Sequence, residues 1–411
     1  MSHGWGAGRD RERPGTARRQ RVAIAGVQVL GLAVWFSMSA VVPSLRQEWG
    51  IGTAAAVWLT GSTQIGFVVG ALGSTGLNLA DRVPALALLA AGAAAAATCT
   101  GVLAVFVDGT SAALALRFLT GVCLAGVYPV GMKLMASWSP NTGRGTALGL
   151  LIGALTIGSV LPQLIGGLGE LAWQAVLLAA AGLGVLGALL AITVIRQGPH
   201  LTRGTGAPHP RYALTMFGRR GPLLANLGYF GHMWELYAVW TWLPTFLLAS
   251  PAAAELPGSV GITVFVTMGV VGAAGCLLGG WGADRFGRAP AAVAALVVSG
   301  ACCLLSPLAF PAGPAVLVVF CAVWGCSVIA DSGVFSTALS ETADARYVGT
   351  ALTAQTAIGF ALTVLSIQLV PLLADAVGWR YAFLLLVPGP VVGARAMQLF
   401  GARTVADRTP R

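Results

Sequence analysis

Four ionisable residues lie deep inside apolar stretches of this chain, and their types are those of proton chemistry. His232 and Glu235 stand three residues apart in GHMWELYAVW, residues 231–240, within a largely apolar run from Leu223 to Leu248. That spacing puts two side chains on one face of a helix. Burial favours the neutral form of a carboxyl, so a glutamate here can take up and release a proton as its surroundings change. An imidazole one turn away can hold that carboxyl or relay the proton. Asp331 in VIADSGVF and Arg117 in RFLTG are the other two. Ionisable groups at membrane depth are costly, which makes them functional candidates. Glu235 is therefore expected to be the leading proton carrier, with His232, Asp331 and Arg117 as coupling residues. The structural alternatives are a His232–Glu235 fastening pair, a snorkelling Arg117 and an Asp331 paired with an arginine at the inner helix end. Lys133, near the end of its run, is expected to snorkel.

The elements that carry these residues follow from composition. Of 411 residues, 56% are hydrophobic and only 9% are charged, against about 25% charged in soluble domains. A chain this long with so few charges cannot maintain a water-facing surface, so a large soluble protein is excluded. A membrane span needs about 20 mainly apolar residues. Twelve such runs are present, at 22–43, 54–79, 85–107, 111–136, 145–168, 173–195, 222–249, 259–282, 289–309, 313–338, 347–373 and 379–400. They are numbered here as spans 1 to 12. The fold class expected is thus an all-α polytopic membrane protein.

Arginines orient it. Nearly all of them fall in the tails and the inner loops, whereas the outer loops hold only Arg46 and Arg380. Positive charge marks the cytoplasmic side, so both termini are expected there, in the inner (plasma) membrane of a bacterium. The net charge of +10 comes from this asymmetry and gives no reason to expect a nucleic-acid partner. Residues 1–21 read as a cytoplasmic disordered tail, 22–195 as an N-terminal six-helix bundle, 196–221 as a Pro/Gly-rich cytoplasmic linker, 222–400 as a C-terminal six-helix bundle and 401–411 as a cytoplasmic tail.

The two sets of six spans resemble each other. ADR at 80–82 recurs at 283–285, GTAL at 145–148 recurs at 349–352, and PSL at 43–45 is echoed by PTF at 244–246. Three matches in one order, at shifts of 201 to 204 residues, point to duplication. By this register Asp331 corresponds to Tyr128. Parallel six-helix repeats are a transporter architecture. The seven cysteines all lie in apolar runs and behave as small hydrophobes. No metal-ligand spacing, cofactor motif or convergent nucleophile set is present in the sequence, so neither an enzyme nor a metal or cofactor site is expected.

GWGADRFGR, residues 280–288 between spans 8 and 9, has glycines for close helix approach and acid and base groups that can pair across a helix end. It resembles the loop signature of the major facilitator superfamily, with Gly280, Asp284, Arg285, Gly287 and Arg288 matching and Ala289 departing at the last position. The copy between spans 2 and 3 keeps Asp81 and Arg82, but Leu77, Pro84 and Ala85 replace its glycines and arginine. RFLTG in span 4 is similar to a second family motif. GSVLPQLIGG, 158–167, partly resembles the family's antiporter motif.

The resemblance implies two six-helix bundles around a cavity, alternating access and a gating role for Asp81, Arg82, Asp284, Arg285 and Arg288. It also implies that spans 1, 4, 7 and 10 line the cavity, which makes Trp35, Tyr128, Tyr229 and Trp234 candidate substrate contacts. Gln355 in span 11 joins them as a polar candidate. The wording of spans 4, 7 and 10 is loosely similar to nitrate/nitrite and cyanate porters, but spans 2 and 8 lack the arginines by which those porters grip their anion. The expected function is proton-coupled secondary transport of a small organic solute, by efflux antiport or by uptake of a nutrient or organic anion. A transporter-like sensor is the remote alternative. The partners expected are the solute, protons and lipid, with the protein as a monomer.

Overall fold

A computed structural model describes residues 14–140, 143–165, 172–201, 211–256 and 259–406. The outer parts of both expected tails, residues 202–210 of the expected linker and the last two glycines of the antiporter-like stretch lie outside the described residues. Every regular element described is helical. The twelve spans are Pro14–Glu48, Thr53–Leu77, Ala85–Phe106, Thr110–Leu124 with Tyr128–Ser137, Arg144–Ile165, Trp173–Thr193, Arg220–Ala249, Val260–Val264 continuing to Phe286, Arg288–Ala309, Pro314–Ala330 with Ser332–Thr342, Val348–Val377, and Trp379–Ala382 continuing to Ala406. Nine of the described helices are long and apolar enough to cross a membrane by composition alone. Span 7 is not among them, because His232, Glu235 and its aromatic residues dilute its apolarity.

Two compact units emerge from the contacts. One comprises Met1–Ala147, Glu170–Leu214 and Ala343–Ala357; the other comprises Leu148–Gly169, Thr215–Thr342 and Ile358–Arg411. Each has the same neighbour pattern. Spans 1 and 6, 2 and 4, and 3 and 6 pack together in the first, and spans 7 and 12, 8 and 10, and 9 and 12 in the second.

Small residues set the closest crossings, as expected where no hydrophobic force separates helix from lipid. A methyl at Gly66 would run into the Phe118 carbonyl, and one at Gly121 into the Thr63 carbonyl. Spans 8 and 10 repeat the device: methyls at Gly275 and Gly325 would strike the carbonyls of Cys326 and Thr267. Outward faces carry exposed Leu189, Ile192, Leu304, Leu308 and Val319, the side chains that hydrocarbon accepts.

Spans 4 and 10 are each broken at the same level. Helix stops at Leu124 and resumes at Tyr128 in one, and stops at Ala330 and resumes at Ser332 in the other. Pro129 opens the second piece of span 4 rather than kinking a continuous helix. At each break the main chain stays bonded locally, the Gly131 N–H to the Val127 carbonyl at 2.9 Å and the Phe335 N–H to the Asp331 carbonyl at 3.1 Å, and the facing span adds one side chain, Gln28 or His232.

Candidate functional site

The breaks hold the chemistry. In the second unit His232, from span 7, brings Nδ1 to 2.8 Å from Oδ1 of Asp331 at the break in span 10, and both side chains are 1% exposed. The distance is that of an ion pair, but the N–H is not aligned for a hydrogen bond to that oxygen. Nε2 of the imidazole is buried with no partner. Rings enclose the imidazole, with Tyr229 at 6.0 Å and Phe335 at 5.6 Å between centroids.

This corrects the expectation that His232 serves Glu235. Although the two share a helix face, the imidazole turns to Asp331, and Glu235 is held elsewhere. Its Oε1 accepts from Trp324 Nε1 at 2.8 Å and from Cys303 Sγ at 3.2 Å, and its Oε2 accepts from Ser299 Oγ at 3.0 Å. Glu235 thereby fastens span 7 to spans 9 and 10. Spans 7 and 10 run antiparallel, so Trp324 meets Glu235 while Asp331, two turns further along, meets His232. Asp331 accordingly has a histidine partner, where the structural alternative supposed an arginine.

Arg117 is 1% exposed and does not snorkel. It reaches across the first unit, where Nη1 donates to the Val34 carbonyl at 3.1 Å and Nη2 to the Trp35 carbonyl at 2.8 Å. Its Nε is unpartnered. Trp35 itself is half-buried against Phe67, 5.1 Å between centroids. Tyr128 is half-buried at the start of the second piece of span 4. Trp234 donates to the Leu385 carbonyl at 3.2 Å and so lies against span 12. Gln355 is fully buried, and neither its amide nitrogen nor its oxygen has a partner. Leaving a buried polar group unmet costs about 1–3 kcal/mol, so this amide asks for a ligand or a water.

The loop residues divide sharply. Asp81 accepts from Lys133 Nζ at 2.5 Å and from the Gly349 N–H at 3.0 Å through Oδ1. Through Oδ2 it accepts from the Thr350 N–H at 2.6 Å and hydroxyl at 2.7 Å. A carboxylate on the first N–H groups of span 11 meets the positive end of the helix dipole. Asn78, at a left-handed φ of 52°, adds a bond to Thr350 Oγ1. Lys133 is thus an ion-pair partner inside the unit rather than a snorkelling cation. In the other loop Arg288 pairs with Asp284 at 2.6 Å and with Glu341 at 2.8 Å, across a turn at Gly287 whose φ of 103° suits glycine. Arg82 makes a long 3.4 Å bond to the Leu77 carbonyl. Arg285 is exposed.

Sequence reasoning missed Gln28, the Ser299–Cys303–Trp324 cage and the Lys133–Asp81 pair. For Gln28 the signal was present: a shift of 204 residues, the one that carries GTAL onto its copy, carries Gln28 onto His232.

Twelve spans in two units with matching neighbour relations, and buried titratable groups in the bundle interior, define a multi-pass membrane protein of the two-bundle helical class. The sequence profile of the Major Facilitator Superfamily matches residues 24–367, and the chain belongs to that family. It has the superfamily's fold of twelve transmembrane helices in two six-helix bundles. It is 28% identical over 303 residues to the 4-hydroxybenzoate transporter PcaK of Pseudomonas aeruginosa, covering 61% of this chain and 62% of that protein. It is 29% identical over 266 residues to a probable 4-methylmuconolactone transporter of Cupriavidus pinatubonensis, covering 61% of this chain and 59% of that one. In both cases the match spans less than two thirds of the relative's length. A gallate transporter of Pseudomonas putida is 27% identical over 324 residues, 70% of each chain. Among solved structures, the human organic anion transporter MFSD10 superposes with a TM-score of 0.75 over 93% of this chain and 99% of its own, at 15% identity. The proton:xylose symporter XylE superposes with a TM-score of 0.72 over 93% and 96%, at 16% identity.

Proposed function

We propose that this protein is a secondary active transporter that moves a small organic acid across the bacterial inner membrane, coupled to protons, by alternating access. The observation that carries the coupling is the His232–Asp331 pair, two buried titratable groups in contact at a helix break, with Nε2 unpartnered. Uptake of one proton by the imidazole takes the pair from a net charge of −1 to an imidazolium–carboxylate pair of net charge zero. A neutral pair crosses a low-dielectric environment at far lower cost than a lone carboxylate. Glu235 is a second proton site. Its Ser299 partner also lies 3.4 Å from the Leu296 carbonyl, so the hydroxyl can turn there and accept from a protonated Oε2.

The solute class draws on the relatives, several of which are named for aromatic or sugar acids. The open amide of Gln355 supports a contact with a polar group of the solute, with Trp35 and Tyr128 as candidate apolar walls. Arg117 is spent on two carbonyls and offers at most its Nε to an anion. The Asp81 cap on span 11 and the Arg288–Asp284–Glu341 cluster are the gates, on the cytoplasmic side that the arginine distribution assigns. The protein acts as a monomer, with both termini cytoplasmic and without a cofactor.

The test is uptake into proteoliposomes under an imposed inward proton gradient, with 4-hydroxybenzoate, gallate and galactonate as solutes. Gradient-driven accumulation of at least one is expected, abolished by an uncoupler. Accumulation that is indifferent to the gradient would remove proton coupling, and no transport of any organic acid would remove the solute class.

A further inference from the structure

The half-repeat assigns a partner to the proton site that lies in the other unit of the same chain. The shift of 204 residues carries Gln28 to His232, Gly131 to Phe335 and Ile24 to Gly228; it also moves the expected counterpart of Asp331 by one residue, from Tyr128 to Val127, the residue just before helix resumes in span 4 as Asp331 is in span 10. The contacts travel with the positions. In the first unit Gln28 Nε2 donates to the Val127 carbonyl at 3.0 Å where span 4 breaks, a second donor beside the Gly131 N–H at 2.9 Å. A methyl at Gly131 would overlap the Gln28 amide. In the second unit His232 meets Asp331 where span 10 breaks, and Phe335 covers the imidazole. A methyl at Gly228 would lie 2.7 Å from the Phe335 ring. Bulk has changed places: isoleucine and glycine in one unit, glycine and phenylalanine in the other.

We propose that these are two copies of one helix joint, and that the second copy has become proton-responsive while the first has stayed fixed. An amide on a backbone carbonyl has no titrating group, so pH leaves the Gln28–Val127 joint unchanged. At the second joint both partners are ionisable side chains in contact. The proton occupancy of His232 and Asp331 sets how firmly span 7 holds the break in span 10. The groups packed around this joint are few. Tyr229 and Glu235 share span 7 with His232, and Phe335 lies one turn beyond Asp331. Cys276 of span 8 donates to the Ile329 carbonyl at 3.6 Å, with Thr156 of span 5 at 3.8 Å from its sulfur. Of these, Glu235 is the one strongly acidic group, and three donors already occupy it.

The inference rests on the coupling role given above to the pair, and the experiment separates the two. The second joint is rebuilt with the residues of the first: Gly228→Ile, His232→Gln, Asp331→Val and Phe335→Gly together. The purified wild type is expected to show a pH-dependent shift in melting temperature and in tryptophan emission, since Trp324 and Trp234 both contact span 7 partners or lie in it. The rebuilt protein is expected to fold, to lose that pH-dependent shift, and to lose accumulation under a proton gradient by at least tenfold. A second variant, His232→Gln with Asp331→Asn, keeps the side-chain sizes and is expected to lose the same pH response if the fourfold change fails to fold. Wild type and variants are compared in a Glu235→Gln background, which removes the second proton site, and either variant retaining the pH response of that background would overturn the proposal. A wild type that shows the pH response, lost in the variants, yet transports no solute under a gradient would sustain the joint and remove the coupling reading.

Discussion

Spans 1 and 4 of the first unit and spans 7 and 10 of the second occupy equivalent places, yet the polar contacts that join each pair have opposite character. In the first, a guanidinium and an amide donate to main-chain carbonyls: Arg117 to Val34 and Trp35, and Gln28 to Val127. In the second, side chain meets side chain: Glu235 accepts from Trp324, Cys303 and Ser299, and His232 faces Asp331. A carbonyl in a helix is present whatever the residue type and does not titrate near neutrality. A joint built on carbonyls is therefore insensitive to pH. One built on side chains can respond to a proton and can be retuned by substitution. The duplication supplied two similar frames, and on the function proposed above only the second is acid–base machinery.

Three substitutions probe that contrast, from the largest expected effect to the smallest. Asp81→Ala removes the acceptor of Lys133, two helix N–H groups and a hydroxyl in one step. Leaving a buried cation without its partner costs about 3–5 kcal/mol, and melting of the purified protein should show the greatest loss of the three. A melting temperature equal to wild type would mean that Asp81 is dispensable to its unit. Glu235→Ala removes the acceptor of three side-chain donors in the second unit and leaves Trp324 and Cys303 unmet, since Ser299 can turn to the Leu296 carbonyl. A loss of about 2–4 kcal/mol is expected from unmet buried groups, and Glu235→Gln should recover part of it by keeping an acceptor oxygen. If the alanine and glutamine variants melt alike, the cage is not what holds span 7. Gln28→Leu removes a single bond at the fixed joint. Intramembrane hydrogen bonds are worth about 0.6 kcal/mol and at most about 1.7 kcal/mol, so a small loss is expected, with no change in the pH profile of transport. A shifted profile would dissolve the distinction between the two joints.

The span arrangement was legible because hydrocarbon imposes a simple rule: about twenty apolar residues for each crossing, with arginine kept to one side. The duplication was legible for a different reason, since short strings such as ADR and GTAL survived at one shift. The site was legible only as a set of residue types. His232, Glu235, Asp331 and Arg117 stood out because charge in an apolar run is rare. Which of them meet could not be read from spacing. Residues 232 and 235 share a face, but a helix face is broad enough for two side chains to leave toward different neighbours. The degenerate loop illustrates the opposite error: a poor match to the signature at 77–85 still yields an aspartate that accepts four hydrogen bonds, because three of its four donors lie almost 270 positions away in sequence.

Composition alone determined that this chain lives in a membrane, crosses it repeatedly and carries costly ionisable groups there. The internal repeat determined that it does so twice over. Tertiary structure decided the pairings: His232 with Asp331, Glu235 with its three donors, Arg117 with main-chain carbonyls and Lys133 with Asp81. The physical reason is that apolarity and charge placement act residue by residue along the chain. A buried polar group instead chooses its partner among whatever helix breaks and neighbouring spans bring within about 3 Å, and that choice exists only once the helices have packed.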